Sequence, residues 1–148
     1  MATAHDVAKY LLSKTDEDAG DTISNLKLQK LLYYSQGFHL AVNARPLFDE
    51  PLIAWQHGPV VRTVYETYAE YGGKAIPRPE DFDIDRLTVE ERGLIDQVYS
   101  TYGQFSAWRL REMTHDEPPW SDAWKIGPHT PIPHRALTIY FSTLVEER

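Results

Sequence analysis

The sequence contains no cysteine. That removes disulfide bridges and thiolate metal sites as sources of stability or chemistry, and it fits a reducing compartment. No apolar run approaches the ~20 residues that a membrane span requires. The first ten residues, Met1 to Tyr10, lack both the basic and the apolar stretch of a signal peptide, so a cytoplasmic location is expected. Basic charge is also scarce: 15 Lys and Arg stand against 22 Asp and Glu, a net charge of −7. Nucleic-acid binding leans on basic patches that neutralise phosphates. Here the bases are scattered and diluted by acids, so no direct nucleic-acid partner is expected. The acids cluster instead, at Asp16, Glu17, Asp18 and Asp21 and again at Glu80, Asp81, Asp83 and Asp85. Solvated loops account for both groups, and such loops would also steer a basic partner.

Catalytic signatures are equally sparse. None of the six histidines forms the His-x-x-x-His pair that places two ligands on one helix face. His129 and His134 are five apart in a proline-rich stretch, and His115, Asp116 and Glu117 are too close in sequence to converge on one ion. No metal or other cofactor is expected. There is no Gly-x-Ser-x-Gly elbow, and the Gly72-Gly73 pair lacks the Lys-Ser/Thr of a phosphate loop. Glu90 and Glu91 fall in the first turn of a predicted helix, where they favour the helix dipole. No catalytic residue is nominated, and the chain is expected not to be an enzyme; the alternative from that class is a hydrolase using His57 or His115.

What the sequence does contain is one domain's worth of helix. Its 148 residues are the usual size of a single domain, and without repeats or linkers the expectation is one domain over residues 1–148. Thr3 caps a helix from Ala4 to Ser13 with an apolar stripe at Val7, Ala8, Leu11 and Leu12. Ser24 caps a long helix from Asn25 to Asn43. Its apolar positions (Leu28, Leu31, Leu32, Phe38, Val42, with Leu26, Tyr33 and Tyr34) are too broad for one contact face, so it is a central helix. Gly37 inside it costs about 1 kcal/mol against alanine, which a close helix crossing would explain. Further helices are predicted from Pro59 to Tyr71, from the Thr88–Glu91 capping box to Tyr102, from Ser106 to Thr114, and from Pro133 to Glu146. One further turn at Pro119 bears Trp120 and Trp124. The class is mainly α, with about six helices and at most two short strands near residues 47–56.

The chain has four Trp and nine Tyr, types enriched in protein interfaces, though core packing alone could use this surplus. This surplus allows a homodimer. The most unusual group is Trp55, His57, Gly58 and Pro59, where a loop meets an expected helix start; His115 and Trp120 form a second. Core packing and local hydrogen bonding account for both groups, and so does a partner-binding edge.

Three segments read together resemble a known family. They are Asn25-Leu-Lys-Leu-Gln-Lys-Leu-Leu-Tyr-Tyr34 with Gln36-Gly-Phe38; Pro46-Leu-Phe48 with Ala54-Trp-Gln-His-Gly-Pro-Val60 and Val64-Tyr65; and Thr114-His-Asp-Glu-Pro-Pro-Trp120. Their order and spacing are similar to the Panacea domain, the SocA-like antitoxin domain also met in phage-associated proteins, over about His5 to Phe141. The resemblance implies an antitoxin that neutralises a cognate toxin by direct contact. In one branch of the family it implies an adaptor that delivers the toxin to a Clp protease. The family motif falls here on Leu28, Leu31, Tyr34, Trp55, Gly58, Pro59, His115 and Trp120. Some family members carry a preceding helix-turn-helix; this chain is expected to begin directly with the domain.

Overall fold

The computed structural model describes residues 1–146. Among them are seven α-helices: α1 (Ala4–Ser13), α2 (Asn25–Asn43), α3 (Arg62–Thr67), α4 (Val89–Tyr102), α5 (Ala107–His115), α6 (Pro118–Ile126) and α7 (His134–Glu146). A two-stranded antiparallel hairpin, β1 (Ile53–Trp55) and β2 (Gly58–Val60), lies between α2 and α3. The fold is mainly α with a small two-stranded element. No helix among the described residues is long and apolar enough to cross a membrane.

Helix starts follow local chemistry. Thr3 Oγ1 accepts from Asp6 N at 3.1 Å while Asp6 accepts from Thr3 N at 2.9 Å. Thr88 and Glu91 form the same reciprocal box on α4. Ser24 and Ser106 cap α2 and α5 through single bonds. Each arrangement satisfies amide groups that a helix end leaves without partners.

α2 is the axis of the molecule and packs against α1, α3, α4, α5, α7 and β2. Its buried face includes Leu28, Leu31, Leu32, Tyr33 and Tyr34, all fully covered. Val42, placed by its spacing on the apolar side, is instead 58% exposed, at an open groove that α2 forms with α4 and α7. α2 also buries polar side chains that the apolar pattern passes over: Asn25, Lys27, Gln29, Lys30 and Gln36. Each serves backbone outside the helix. Gln36 Nε2 donates to Phe48 O at 2.7 Å and its Oε1 accepts from Leu47 N at 2.7 Å. Gln29 Oε1 accepts from Val61 N at 2.9 Å, and Asn25 Nδ2 donates to Tyr65 O at 3.0 Å. Irregular chain can be buried here because α2 supplies the partners its amide groups would otherwise lack.

Three expectations need correction. Pro59 does not open a helix. It pairs with Ala54 across the hairpin, and extended Val61 gives its N–H to Gln29, so α3 begins only at Arg62. Proline is tolerated there because a two-stranded ribbon leaves its missing donor at an edge. α3 ends at Thr67, and Ala69–Tyr71 forms a separate 3-10 turn. The two strands lie at 53–60, the second overlapping the start of the expected helix. Finally, the turn at Pro119 is a nine-residue helix starting at Pro118, a seventh rather than an appended turn. The proline-rich crossing after it runs beside β1, with His129 N donating to Ala54 O at 2.8 Å and Ala54 N to Thr130 O at 2.9 Å.

The close crossing expected at Gly37 is present: a Cβ placed there would overlap the ring of Phe141 on α7. Phe141 is wholly buried and packs edge-on against Tyr33 and Phe38. Gly37→Ala should therefore destabilise the fold by about 1–3 kcal/mol, although alanine is the better helix former by about 1 kcal/mol. The urea midpoint reads this directly, and a more stable variant would show that α7 is not seated on that glycine.

Candidate protein-interaction site

The hairpin, α5 and α6 bring all six residues singled out in the sequence into one neighbourhood. Trp55 and Gly58 are paired across the hairpin, leaving Gln56 and His57 as its turn. Trp55 is half-buried and packs edge-on against Tyr65 at 4.7 Å between centroids, with His129 at 5.8 Å. Its backbone carbonyl accepts from Trp120 Nε1 at 2.8 Å, tying α6 to the hairpin. Trp120 stacks on His115 at 4.0 Å with rings 3° from parallel, and on Trp124 at 5.4 Å. Of the six residues, Gly58, Pro59 and Trp120 are buried, His57 is exposed, and Trp55 and His115 lie between. The buried three act as a joint and the others edge it.

Gly58 has a structural reason to be glycine. Its φ is +108°, and a Cβ would lie 2.6 Å from Lys30 Cε and 2.8 Å from Thr114 Oγ1. The hairpin therefore presses directly on α2 and α5. Lys30 is wholly buried, and its Nζ donates to Pro59 O at 3.2 Å. Burial lowers its ammonium to about 7, and the Arg111 guanidinium adds repulsion in the same direction. Arg111 donates from Nε to His57 Nδ1 at 2.9 Å and stacks over Trp108, with its Cζ 4.4 Å from the ring centroid. Since the guanidinium can only donate, His57 accepts on Nδ1 and, as a neutral ring, carries its proton on Nε2. His115 is also held below its ordinary value, by burial first and then by Arg111 and Lys30, against a hydrogen bond to the Gln56 backbone that raises it. The His115 Nε2 and Trp55 Nε1 atoms are buried without a hydrogen-bond partner among the described residues.

One step inward sits a second polar cluster. Glu117, at the N-terminus of α6, is buried and accepts from Tyr33 at 2.8 Å and Tyr34 at 2.9 Å. Burial raises its carboxyl to about 7; hydrogen bonds from Tyr33, Tyr34 and Tyr140 pull it down, and Asp116 pushes it up. Among the described residues no group of three or more His, Asp or Glu could hold a metal ion. The arrangement presents a hairpin edge with an aromatic and cationic rim.

Sequence reasoning missed Lys30, Trp108, Arg111 and Glu117. A signal existed for two of them: on the helix after Ser106, Leu110 and Thr114 mark the buried face at i, i+4, so Trp108 and Arg111 must lie off it. Trp108 is indeed 58% exposed. A separate groove of about 220 Å³ between α2, α4 and α7 is lined by Phe38, exposed Val42, Leu94, Val98, Tyr102 and Leu144, none of them among the six nominated residues.

Comparison with known proteins places these features. Residues 28–121, from the middle of the first turns of α2 to just past Trp120, match the model of the SocA-like antitoxin family, Panacea domain. The chain is also similar to antitoxin SocA of Caulobacter vibrioides (strain NA1000 / CB15N), 34% identical over 145 residues that cover 86% of this chain and 72% of that protein. No solved structure matches it with significance. The matched span holds the central helix, the hairpin and the joint to α5 and α6, and on that span and that identity the chain belongs to the SocA-like antitoxin, Panacea-domain family.

Proposed function

We propose that this protein is an antitoxin that binds a cognate toxin directly and neutralises it, acting as a regulatory binding module without a cofactor and without catalysis. The observation that carries the reading is its 34% identity to antitoxin SocA along most of both chains. The half-exposed Trp108 on α5 and the hairpin rim beside it supply a surface suited to protein contact, since exposed tryptophan and arginine dominate interface energetics.

The test is co-expression with each adjacent open reading frame, scored by growth and by size-exclusion of the tagged chain. The expected result is one neighbour whose product arrests growth alone, is tolerated with this chain, and co-elutes with it. If no neighbouring product is toxic and none co-elutes, the antitoxin reading fails.

A further inference from the structure

We propose that the rim formed by Trp108, Arg111 and His57 is the docking point for an aspartate or glutamate side chain of the partner protein, an inference that rests on the antitoxin reading and names the chemistry by which the partner is held.

Countercharge is missing from this rim. Lys30, His57, Arg111 and His115 converge where the hairpin meets α2 and α5. The ion pairs among the described residues are Lys14–Asp96 and Arg86–Asp6, both elsewhere. Glu112 and Asp116 stand exposed on or at the end of α5, yet neither pairs with Arg111. In a chain with seven more acids than bases, this group of bases has no carboxylate in an ion pair with it among the described residues. Arg111 carries the permanent charge of this group, and its bond to His57 together with its contact with Trp108 holds that charge in place rather than letting a flexible side chain seek a partner. A fixed, uncompensated charge is what an external counterion recognises.

Geometry then selects the ligand. Arg111 uses Nε on His57, and its terminal nitrogens hold no other hydrogen bond among the described residues, leaving the end-on fork that matches two carboxylate oxygens. The same bond orients the exposed His57 ring with its Nε2–H available as a further donor. The Trp108 ring lies against the guanidinium, with Arg111 Cζ 4.4 Å from its centroid, and is more than half exposed, so it holds the fork in place and offers apolar area around it. A nucleic-acid backbone presents the same negative sign but would also meet the acidic remainder of the chain, so a single acidic side chain on a protein suits the site better.

The experiment uses the full chain and the toxic neighbouring product found by co-expression. Arg111→Glu should raise the dissociation constant at least about 30-fold and abolish growth rescue, Arg111→Gln and Trp108→Ala should each raise it about tenfold, and each effect should shrink in high salt except that of Trp108. Circular dichroism and urea midpoints establish that the variants are folded; Trp108→Ala changes only an exposed position and serves where Arg111→Glu is damaged. The decisive arm is charge reversal: replacing the toxin's surface Asp and Glu residues singly by Arg should yield one change that restores rescue by Arg111→Glu. If the wild-type chain rescues and binds while Arg111→Glu and Trp108→Ala do so equally well, the docking proposal is overturned and the antitoxin reading stands. If binding is lost but no acidic residue of the toxin restores it, the carboxylate is wrong. If the wild-type chain itself binds no toxic neighbour, the antitoxin reading falls and the docking role falls with it.

Discussion

Gly58→Ala should be among the most damaging single-methyl changes in this protein, lowering stability by about 3 kcal/mol or more. Two independent effects add. At φ +108° any residue with a Cβ is strained by about 1–3 kcal/mol. The added methyl also meets Lys30 Cε at 2.6 Å and Thr114 Oγ1 at 2.8 Å, and relieving overpacking of that kind costs a further 1–3 kcal/mol or so. Neither neighbour can retreat cheaply, because Lys30 is wholly buried and Thr114 is fixed by its hydroxyl bond to Arg111 O at 2.8 Å. Gly72→Ala is the comparison: its φ is +57° with ψ −127°, backbone that also favours glycine, and nothing lies within 4 Å of the added Cβ, so only the backbone term remains, about 1–3 kcal/mol. Urea midpoints of the two variants separate strain from overlap. Equal losses would mean that the hairpin is not pressed onto α2 and α5. A larger loss at Gly58 would also displace the His57–Arg111 bond, so this variant should bind a partner poorly for reasons of structure alone.

The same joint shows where sequence reading succeeds and where it stops. Helix ends were legible because Thr3, Ser24, Thr88 and Ser106 each do a local job within three residues of their own position. Gly37 was legible as a crossing because a glycine in a strong helix asks for a reason. The hairpin was not, since Gly58-Pro59 reads equally as a helix start, and what decides is remote: the Gln29 side chain on α2 claims Val61 N–H. α6 was undervalued because its buried residues, Pro119, Trp120 and Ala123, are too few to mark a stripe. At the candidate site the six nominated residues share one neighbourhood, yet Lys30 was hidden within a leucine-rich helix. A lysine in such a stripe is ordinarily a solvated position, and only the packing of β2 across α2 removes it from water. Glu117 was hidden likewise, its tyrosine partners lying more than eighty residues earlier.

These two buried groups give the fold an uncommon response to pH. Glu117 has a carboxyl raised from 4.5 to about 7, so the folded state holds its proton more tightly than the unfolded chain does. Its contribution is complete below about pH 4.5 and is lost as pH rises through 7, a span of about 3 kcal/mol. Lys30 is lowered from 10.5 to about 7, so its contribution is complete above about 10.5 and is lost as pH falls toward 7, a span of about 5 kcal/mol. Their combined effect is a stability minimum near neutral pH. Other groups overlay it: His115, lowered by burial, opposes Glu117 on the acid side, and the raised tyrosines Tyr10 and Tyr99 oppose Lys30 on the alkaline side. Variant-minus-wild-type profiles cancel those overlays. Glu117→Gln mimics the protonated acid among Tyr33, Tyr34 and Tyr140, so its stability should match wild type near pH 5 and exceed it by about 3 kcal/mol near pH 9. Lys30→Met removes an ammonium that faces Arg111 and His115 from α2, so its advantage over wild type should be greatest at pH 6–7 and should shrink steadily toward pH 10. Its lost bond to Pro59 O subtracts about 1 kcal/mol at every pH. Opposite slopes of the two difference profiles, measured by urea unfolding from pH 5 to 9.5, are the expected signature. Two flat profiles would mean that water reaches both groups and that the joint between hairpin, α2 and α6 is looser than its packing indicates.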